Sequence, residues 1–296
     1  MKPLVKAWHV PEEWDGCSVK AFLFEYGRFS RQIFKRVKEA GKVLVNEGSS
    51  ELWKPLRTGD VVTVCFPEEE RGGRIFPEEG PLSIVYEDED LLVLDKPAGV
   101  AVIPSIDRTQ TSIANRLLGY YDKQGISSTI HIVTRLDKDT SGLMVVAKHA
   151  YSHMLLTKEQ KQIDRRYKAI VHGLVLHDKG LINEPIARME GSIIRRTVSK
   201  EGKPSQTIYH TEERYNHYSL VELELLTGRT HQIRVHMAHL GNPLAGDSLY
   251  GGKEMSFLQG QALHCHQVKF LHPWTNEKLR FISELPESWR NFKKRP

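Results

Sequence analysis

The sequence has little cysteine and no long apolar run. Its three cysteines, Cys17, Cys65 and Cys265, are far apart in 296 residues. Neither a disulfide framework nor a cysteine-based zinc site is therefore expected, and a reducing compartment fits. No apolar run approaches the ~18 residues of a membrane helix, and the first residues lack the pattern of a cleaved signal. We expect a cytoplasmic protein without a membrane segment.

Three common cofactor and metal motifs are also missing. The chain contains no P-loop, no Gly-x-Gly-x-x-Gly and no His-Glu-x-x-His, so nucleotide cofactors and zinc-dependent hydrolysis lose their usual sequence support. His231, His236 and His239 lie close together, but no acid or cysteine completes a ligand set. We expect neither a cofactor nor a metal.

Composition describes an ordinary globular protein with a mildly basic balance. Hydrophobic residues make up 40% and charged residues 27%, and the length is comfortable for two domains. The formal charge of +5 and the pI near 8.9 are consistent with a polyanionic partner, although many proteins without such a partner share them. The function must therefore be sought in local patterns.

The most informative stretch runs from His131 to Lys148. Its apolar, β-prone ends predict two strands, and between them lie two acids and two bases, Arg135, Asp137, Lys138 and Asp139. A turn between buried strands can hold a reactive side chain rigidly. An aspartate there can equally close an Asx-turn or form a local ion pair, so the pattern alone leaves both interpretations open.

A family resemblance favours the reactive interpretation. Arg-Leu-Asp-x-x-Thr-Ser-Gly-Leu resembles the catalytic motif of the RluA-type pseudouridine synthases, which isomerise uridines in ribosomal and transfer RNA. Thr134 stands where that family usually has histidine. The resemblance implies that Asp137 is the nucleophile, that Arg135 fills the gap left by the extruded base, and that no cofactor is needed, because the reaction involves no redox change.

Further motifs of the family follow in its order. Asp95-Lys-Pro-Ala-Gly resembles its first motif, which shapes the core. Tyr167 lies in a Lys/Arg-x-Tyr-x-Ala-x-Val-x-Gly pattern, and the resemblance implies that it stacks on the target base and serves as a base in proton transfer; a core aromatic is the alternative. Thr-Gly-Arg-Thr-His-Gln-Ile-Arg-Val-His resembles the third motif, whose second arginine, Arg234, would keep the Asp137 carboxylate ionised.

The first 73 residues resemble a different module. Two short predicted helices and several strands carry the pattern of the alpha-L RNA-binding domain first described in ribosomal small-subunit protein four. Six positive residues between Arg28 and Lys42 oppose the single acid Glu39, which is also typical of a solvated helix face. The resemblance implies phosphate contacts for Arg31, Lys35, Arg36 and Lys42.

The chain divides into three predicted regions. Residues 1–73 form the RNA-binding domain, 74–82 an exposed linker that lets the first domain move, and 83–296 the catalytic domain. The expected fold is α+β, with a mixed, largely antiparallel sheet and flanking helices around the catalytic residues. In this domain, Thr230 is the predicted N-cap of a helix ending at Gly241, and the acidic run Glu87 to Asp90 is predicted to close a hairpin in solvent.

RNA is the expected partner of both domains. In the catalytic domain the predicted RNA contacts are Arg135, Arg229, Arg195 and Arg196, although a solvated loop would give the last two the same pattern. Large-subunit ribosomal RNA is the favoured substrate, because family members with the extra N-terminal domain mostly modify it, and transfer RNA is the alternative. A monomer is the default expectation.

Two other functions compete with the isomerase. A non-catalytic RNA-binding or ribosome-assembly protein with the same fold would share the composition and the N-terminal pattern, and only the joint presence of Asp137, Tyr167 and Arg234 argues against it. A nucleoside hydrolase would need a second carboxylate to activate water, and Asp139 is poorly placed for that.

Overall fold

The computed structural model describes residues 4–104, 111–158 and 163–293. Local sequence signals explain where its helices begin and end. Ser30 precedes α2 and its hydroxyl accepts a hydrogen bond from the Ile33 amide, as its N-cap position predicts. Ser112 and Asn115 form a capping box at the start of α3, which ends at Gly125 in the left-handed conformation.

The helices are α1 (Val19–Glu25), α2 (Arg31–Ala40), α3 (Ile113–Gln124), α4 (Ala150–Lys158), α5 (Gln232–His239) and α6 (Arg290–Lys293). The strands are β1 (Val5–His9), β2 (Lys42–Val45), β3 (Gly48–Ser49), β4 (Val61–Cys65), β5 (Ile84–Glu87), β6 (Leu91–Lys96), β7 (His131–Ile132), β8 (Ser141–Ala147), β9 (Asp164–His172), β10 (Lys179–Asn183), β11 (Ile186–Arg188), β12 (Arg196–Val198), β13 (Gln206–Arg214), β14 (Tyr218–Leu225), β15 (Leu263–Leu271) and β16 (Lys278–Ile282).

A ten-stranded sheet organises the larger part of the chain. Its main path runs β10-β13-β14-β9-β15-β8-β6-β5, with β16 paired to β15 and β7 paired to β8. Every described pairing in it is antiparallel except that of β15 with β8. All seven residues of β8 are buried, as expected of a strand covered on both faces. The predicted mixed, largely antiparallel α+β fold is confirmed.

The first segment has its own four-stranded antiparallel sheet, in the order β1-β4-β2-β3. Its apolar core is not closed within the segment, because Tyr151 and Leu155 of α4 are part of the same buried cluster. Lys6 of β1 also forms a buried ion pair with Asp90, at 2.8 Å. Independent motion of the first segment, expected from the linker composition, is at odds with this shared core.

The linker is exposed over most of 74–82 but is fastened on both sides. The Asn115 side chain of α3 donates to the Phe76 carbonyl, at 2.8 Å. Just before the linker, Glu69 accepts hydrogen bonds from the Ala150 amide and from His131. Within the described residues, no helix has the length and apolar content to cross a membrane.

Candidate active site

The turn that carries Asp137 lies between β7 and β8, as the apolar ends of the stretch predict. The turn is closed by a hydrogen bond from the Thr140 amide to the Asp137 carbonyl, at 3.1 Å. The ammonium of Lys96 is almost fully buried and donates to three carbonyls, those of Pro97, Val100 and Lys138, at 2.8 to 2.9 Å. Burial lowers the pKa of Lys96 to about 8, against the opposing charges of Asp139 and Asp137.

Thr134, the departure from the family pattern, has a structural contact. Its buried hydroxyl accepts a hydrogen bond from the Val145 amide, at 2.8 Å, and its own amide donates to the Val145 carbonyl. The threonine therefore ties the entry of the turn to β8. This contact lies in the backbone around Asp137 and involves no atom of its carboxylate.

Arg234 connects two carboxylates that are far apart in sequence. Its Nε and Nη2 donate to Asp247 at 2.7 and 2.8 Å, and its Nη1 donates to Asp137 Oδ2 at 3.2 Å. Burial opposes the charge of the guanidinium, but the two carboxylates outweigh it and raise the pKa of Arg234 above its ordinary value. Arg234 is thus a permanent cation, held in a two-bond fork by Asp247.

The residue before α5 has an unusual backbone. His231 is the N-cap of α5 with φ of 58°, and its side chain makes no capping bond. The predicted N-cap Thr230 is wrong, because the left-handed turn at His231 starts the helix one residue later. The turn directs the imidazole to Asp137 Oδ2, with Nε2 3.8 Å away, and to the Tyr250 hydroxyl, 2.8 Å from Nδ1. Backbone strain of this kind often accompanies function.

Burial also sets the charge of His231. It lowers the pKa of the imidazole, and the nearby Arg234 lowers it further, while Asp137 acts in the opposite direction. A neutral ring at neutral pH is the result. His231 therefore offers Asp137 a polar neighbour without adding a second positive charge.

Tyr167 is buried beside the turn that carries Asp137. Its side chain belongs to the main core and is 4% exposed. Register places it across from Cys265, which in turn lies across from Gly142 of β8. Burial raises the pKa of the phenol, and Asp137 is among the charges that add to this rise. The ring is thus near the turn that carries Asp137, as a neutral phenol.

Two further residues of the site, Asp247 and Tyr250, have no role in the sequence prediction. The only signal was the string Gly-Asp-Ser-Leu-Tyr-Gly at 246–251. The Arg234 Cζ lies 5.0 Å from the centre of the Tyr250 ring, a cation–π contact. The Tyr250 hydroxyl also accepts a hydrogen bond from the Arg196 amide, at 2.9 Å, which brings the β11–β12 hairpin to the site.

The predicted RNA contacts have different surroundings. In the larger part of the chain, Arg135, Arg229 and Arg195 are exposed and Arg196 is half-buried. In the first segment, Arg31, Lys35 and Lys42 are exposed, but Arg36 is half-buried beside Glu69. Arg36 lines a cavity of about 670 Å³ between α2, residues 66–69, the residues that follow α3 and the start of α4.

A second carboxylate cluster lies away from this site. The acidic run after β5 does close a hairpin, because Asp88 Oδ1 accepts from the Asp90 and Leu91 amides. The prediction that it faces solvent is wrong for Asp90, whose Oδ1 accepts from His149 and Ser152. Asp88, Asp90 and His272 offer ligand atoms within 4.8 Å of one another, but these atoms are already bound by donors such as Lys6.

The site formed by Asp137, Arg234 and Asp247 suits nucleophilic rather than hydrolytic chemistry. The Asp137 side chain is 28% exposed beside a buried cation. Asp247, the other carboxylate at Arg234, is buried and committed to the guanidinium by both oxygens. Water activation by a free second carboxylate has no candidate in that pair.

Comparison with known proteins gives separate evidence on the class of protein. The family model described as RNA pseudouridylate synthase matches residues 90–239. An uncharacterized RNA pseudouridine synthase of Bacillus subtilis is 42% identical over 273 residues, which is 91% of this chain and 96% of that protein. The ribosomal large subunit pseudouridine synthase D of Vibrio cholerae is 38% identical over 277 residues, 88% of this chain and 84% of that protein.

A solved structure shows the same arrangement of the catalytic part. The human RNA pseudouridylate synthase domain containing 1 superposes with a TM-score of 0.57 at 27% identity and covers 70% of this chain and 86% of its own. Fold and matches together define an RNA-modifying isomerase that converts uridine to pseudouridine. The chain belongs to the RluA-type family of RNA pseudouridine synthases.

Proposed function

We propose that Asp137 is the nucleophile of this isomerisation and that large-subunit ribosomal RNA is the substrate. The observation that carries the first part is the hydrogen bond from Arg234 to Asp137 Oδ2. The fixed cation lies against Oδ2, and among the described residues only Oδ2 receives a hydrogen bond. Oδ1 is therefore the oxygen that is ready to react.

The chemistry requires little else. The bond between N1 of uracil and the sugar breaks, the ring reorients, and a bond forms between C5 and the same sugar carbon. C5 loses its proton and N1 takes one up, so the product is an isomer of the substrate. No electron acceptor or added water appears in this balance. A carboxylate that adds to the sugar or to the uracil ring, with acid–base assistance, is sufficient.

The surrounding residues fit supporting roles in this scheme. The exposed Arg135, two residues before the nucleophile, is placed to fill the gap left by the extruded base. We assign Tyr167 to the wall of the nucleotide pocket; its raised pKa disfavours a phenolate base at neutral pH. Arg195, Arg196 and Arg229 would hold phosphates of the RNA around the target uridine.

We also propose that residues 1–73 are an alpha-L RNA-binding domain, with 74–82 as its link to the catalytic domain at 83–296. The exposed side chains of Arg31, Lys35 and Lys42 support phosphate contact. Arg36 is half-buried and its charge interacts with Glu69, so under this proposal it contributes less to RNA binding.

The substrate proposal rests on relatives. Proteins named ribosomal large subunit pseudouridine synthase D match this chain at 34 to 39% identity. Carbodiimide tagging with primer extension, in RNA from cells with and without the protein, locates every uridine that it modifies. Stops in large-subunit ribosomal RNA that disappear without the protein support the proposal; stops that disappear only from transfer RNA refute it.

The nucleophile is tested by Asp137→Asn. The amide keeps the shape and loses the charge, so we expect no detectable isomerisation and RNA affinity within about threefold of the natural chain. Tritium release from transcripts labelled at uridine C5 measures the activity, because C5 loses its hydrogen. Retained activity would refute the nucleophile assignment, and the matched variant Asp139→Asn separates it from a general loss of charge in the turn.

A further inference from the structure

The nucleophile and its arginine come from two halves of the sheet that meet at a narrow seam. Asp137 precedes β8, whereas Arg234 lies on α5, between β14 and β15. β8 and β15 are joined by only two parallel residue pairs, His264 with Ser141 and Cys265 with Gly142. The backbone alone therefore fixes the relative position of the two halves over a short length.

Four side chains cross this seam in one continuous chain of hydrogen bonds. Ser141 Oγ lies 2.8 Å from His264 Nδ1, His264 Nε2 lies 3.1 Å from Ser283 Oγ, and Ser283 Oγ lies 2.5 Å from Asp95 Oδ2. Asp95 is on β6, Ser141 on β8, His264 on β15, and Ser283 directly follows β16. We call these four residues the relay.

Hydrogen count fixes the direction of every bond in the relay. The Asp95 carboxylate can only accept, so the single hydroxyl proton of Ser283 is used on it. Ser283 must then accept from His264 Nε2, which carries the ring proton. Nδ1 is left as an acceptor for the Ser141 hydroxyl. The chain is ordered from Ser141 to Asp95 only while His264 is neutral, and burial lowers the pKa of His264 to about 4.

The relay reaches the catalytic turn at its exit. Ser141 follows Thr140, whose hydroxyl accepts a hydrogen bond from the Gln261 side chain, at 3.0 Å. Lys138 is held from the other side by Lys96, which neighbours Asp95. Residues of β6 and of the approach to β15 thus fasten the turn at three of the four positions that follow Asp137.

We propose that the relay positions the Asp137 carboxylate against Arg234 across the seam, with His264 at its centre. The residues act through the backbone of the turn and touch no substrate, so they are positioning residues. This inference rests on the proposed role of Asp137. A displacement of about 1 Å between reacting groups can lower the rate up to 100-fold. The relay prevents such a displacement of Asp137.

The test compares Ser283→Val with Ser283→Thr. The two side chains are nearly the same size, and only threonine keeps the hydroxyl that links His264 to Asp95. Tritium release is measured with large-subunit ribosomal RNA labelled at uridine C5, and with labelled transfer RNA as a second substrate. We expect kcat to fall about tenfold in Ser283→Val and to stay within about twofold in Ser283→Thr. KM should change less than about twofold in both.

Val268→Ala is the control for stability. Val268 is buried on β15, four residues beyond His264 and outside the relay. It should lower Tm at least as much as Ser283→Val while leaving kcat within about twofold. The proposal is overturned if Ser283→Val keeps kcat, if Ser283→Thr loses as much, or if Val268→Ala loses activity equally. Activity retained by Asp137→Asn would instead refute the assignment of Asp137 as the nucleophile. The comparison of Ser283→Val with Ser283→Thr would still show whether the relay affects kcat.

Discussion

Asp137 and Asp90 are both carboxylates that face a cation from a distant part of the chain, yet their surroundings differ. The Asp90 side chain is 5% exposed, and both oxygens are occupied, one by Lys6 and the other by His149 and Ser152. The Asp137 side chain is 28% exposed, and Arg234 reaches one oxygen. A saturated carboxylate stabilises a fold, whereas a half-satisfied one beside an opening has capacity left for chemistry.

After Asp137 itself, the largest effect should come from Asp247, whose two oxygens are both occupied, like those of Asp90, but by the arginine that contacts Asp137. Asp247→Asn removes the charge that fixes the Arg234 fork, so we expect kcat to fall roughly 100-fold with KM within about threefold. Tritium release under saturating RNA measures it. The control is Asp178→Asn, which breaks the exposed ion pair with Arg214 and should leave kcat unchanged; an equal loss there would contradict the assignment.

Asp90→Asn should show the reverse profile. It leaves the Lys6 ammonium buried without a charge partner, and we expect the free energy of unfolding to fall by roughly 3–5 kcal/mol. The kcat of the folded protein should stay within about twofold. Urea unfolding and tritium release on the same preparation separate the two quantities.

The double variant Lys6→Met with Asp90→Asn sharpens this test. Removing both charges should recover part of the lost stability, because no unpaired charge remains. If the double variant is less stable than Asp90→Asn alone, the ion pair is not the source of the effect.

As pH falls, the free energy of unfolding should first decrease through protonation of His264 at the seam, and only at lower pH through protonation of carboxylates. His264 is neutral in the fold, with a pKa of about 4, and takes up a proton near its ordinary pKa of 6.5 when unfolded. The unfolded state therefore binds more protons below pH 6.5, and stability falls as pH drops from about 6.5 towards 4. The loss is on the order of 2–3 kcal/mol.

Carboxylates act at lower pH. Glu69 and Asp90, with pKa values lowered to about 2, contribute stability that is lost only below about pH 4. Urea unfolding at pH 7.5, 6.5, 5.5 and 4.5 tests the order. His264→Gln should flatten the slope in the upper window, whereas the exposed His239→Gln should not; an unchanged slope in His264→Gln would contradict the assignment.

The smallest effect concerns the first segment. Arg31→Ala with Lys35→Ala removes two exposed positive charges from α2, so RNA affinity should fall a few-fold and the salt dependence of binding should become shallower by up to about two counterions. Filter binding over a salt series measures both. The exposed pair Lys179→Ala with Lys278→Ala is the control, and an equal change in it would argue against a phosphate-reading α2.

These point variants are better suited than deletion of residues 1–73. The sequence suggested a separable domain, and a truncation would then be a clean test. In the structure, truncation would uncover Tyr151 and Leu155 and leave Asp90 without Lys6. A weakened product would report damage to the shared core as readily as loss of RNA contact.

Much of the fold followed from local sequence. Ser30 as an N-cap, the strand–turn–strand around Asp137 and the largely antiparallel sheet are set by short-range patterns or by motif order. The contact of Asp137 with Arg234, 97 residues apart, was expected because the family motifs specify it. Neither result needed three-dimensional information about this chain.

The remaining contacts depend on side chains that only tertiary structure brings together. Lys6 and Asp90 are 84 residues apart, and no sequence motif pairs them. A run of acidic residues whose partner is not evident from the sequence is expected to face solvent. Ser283 connects His264 to Asp95, which lies 188 residues earlier in the chain. The left-handed backbone at His231 was missed because threonine is the better N-cap by propensity.

The shared core beneath α4 also determines what the enzyme can select. Phe29 and Phe66 of the first segment pack against Tyr151 of α4, so a common core links the part of the chain that carries α2 to the part that carries Asp137. If α2 holds phosphates, a uridine reacts only when the folded RNA can place that uridine at Asp137 and a second segment of its backbone at α2 at the same time. Selection then depends on the shape of the RNA around the uridine as well as on its neighbouring bases.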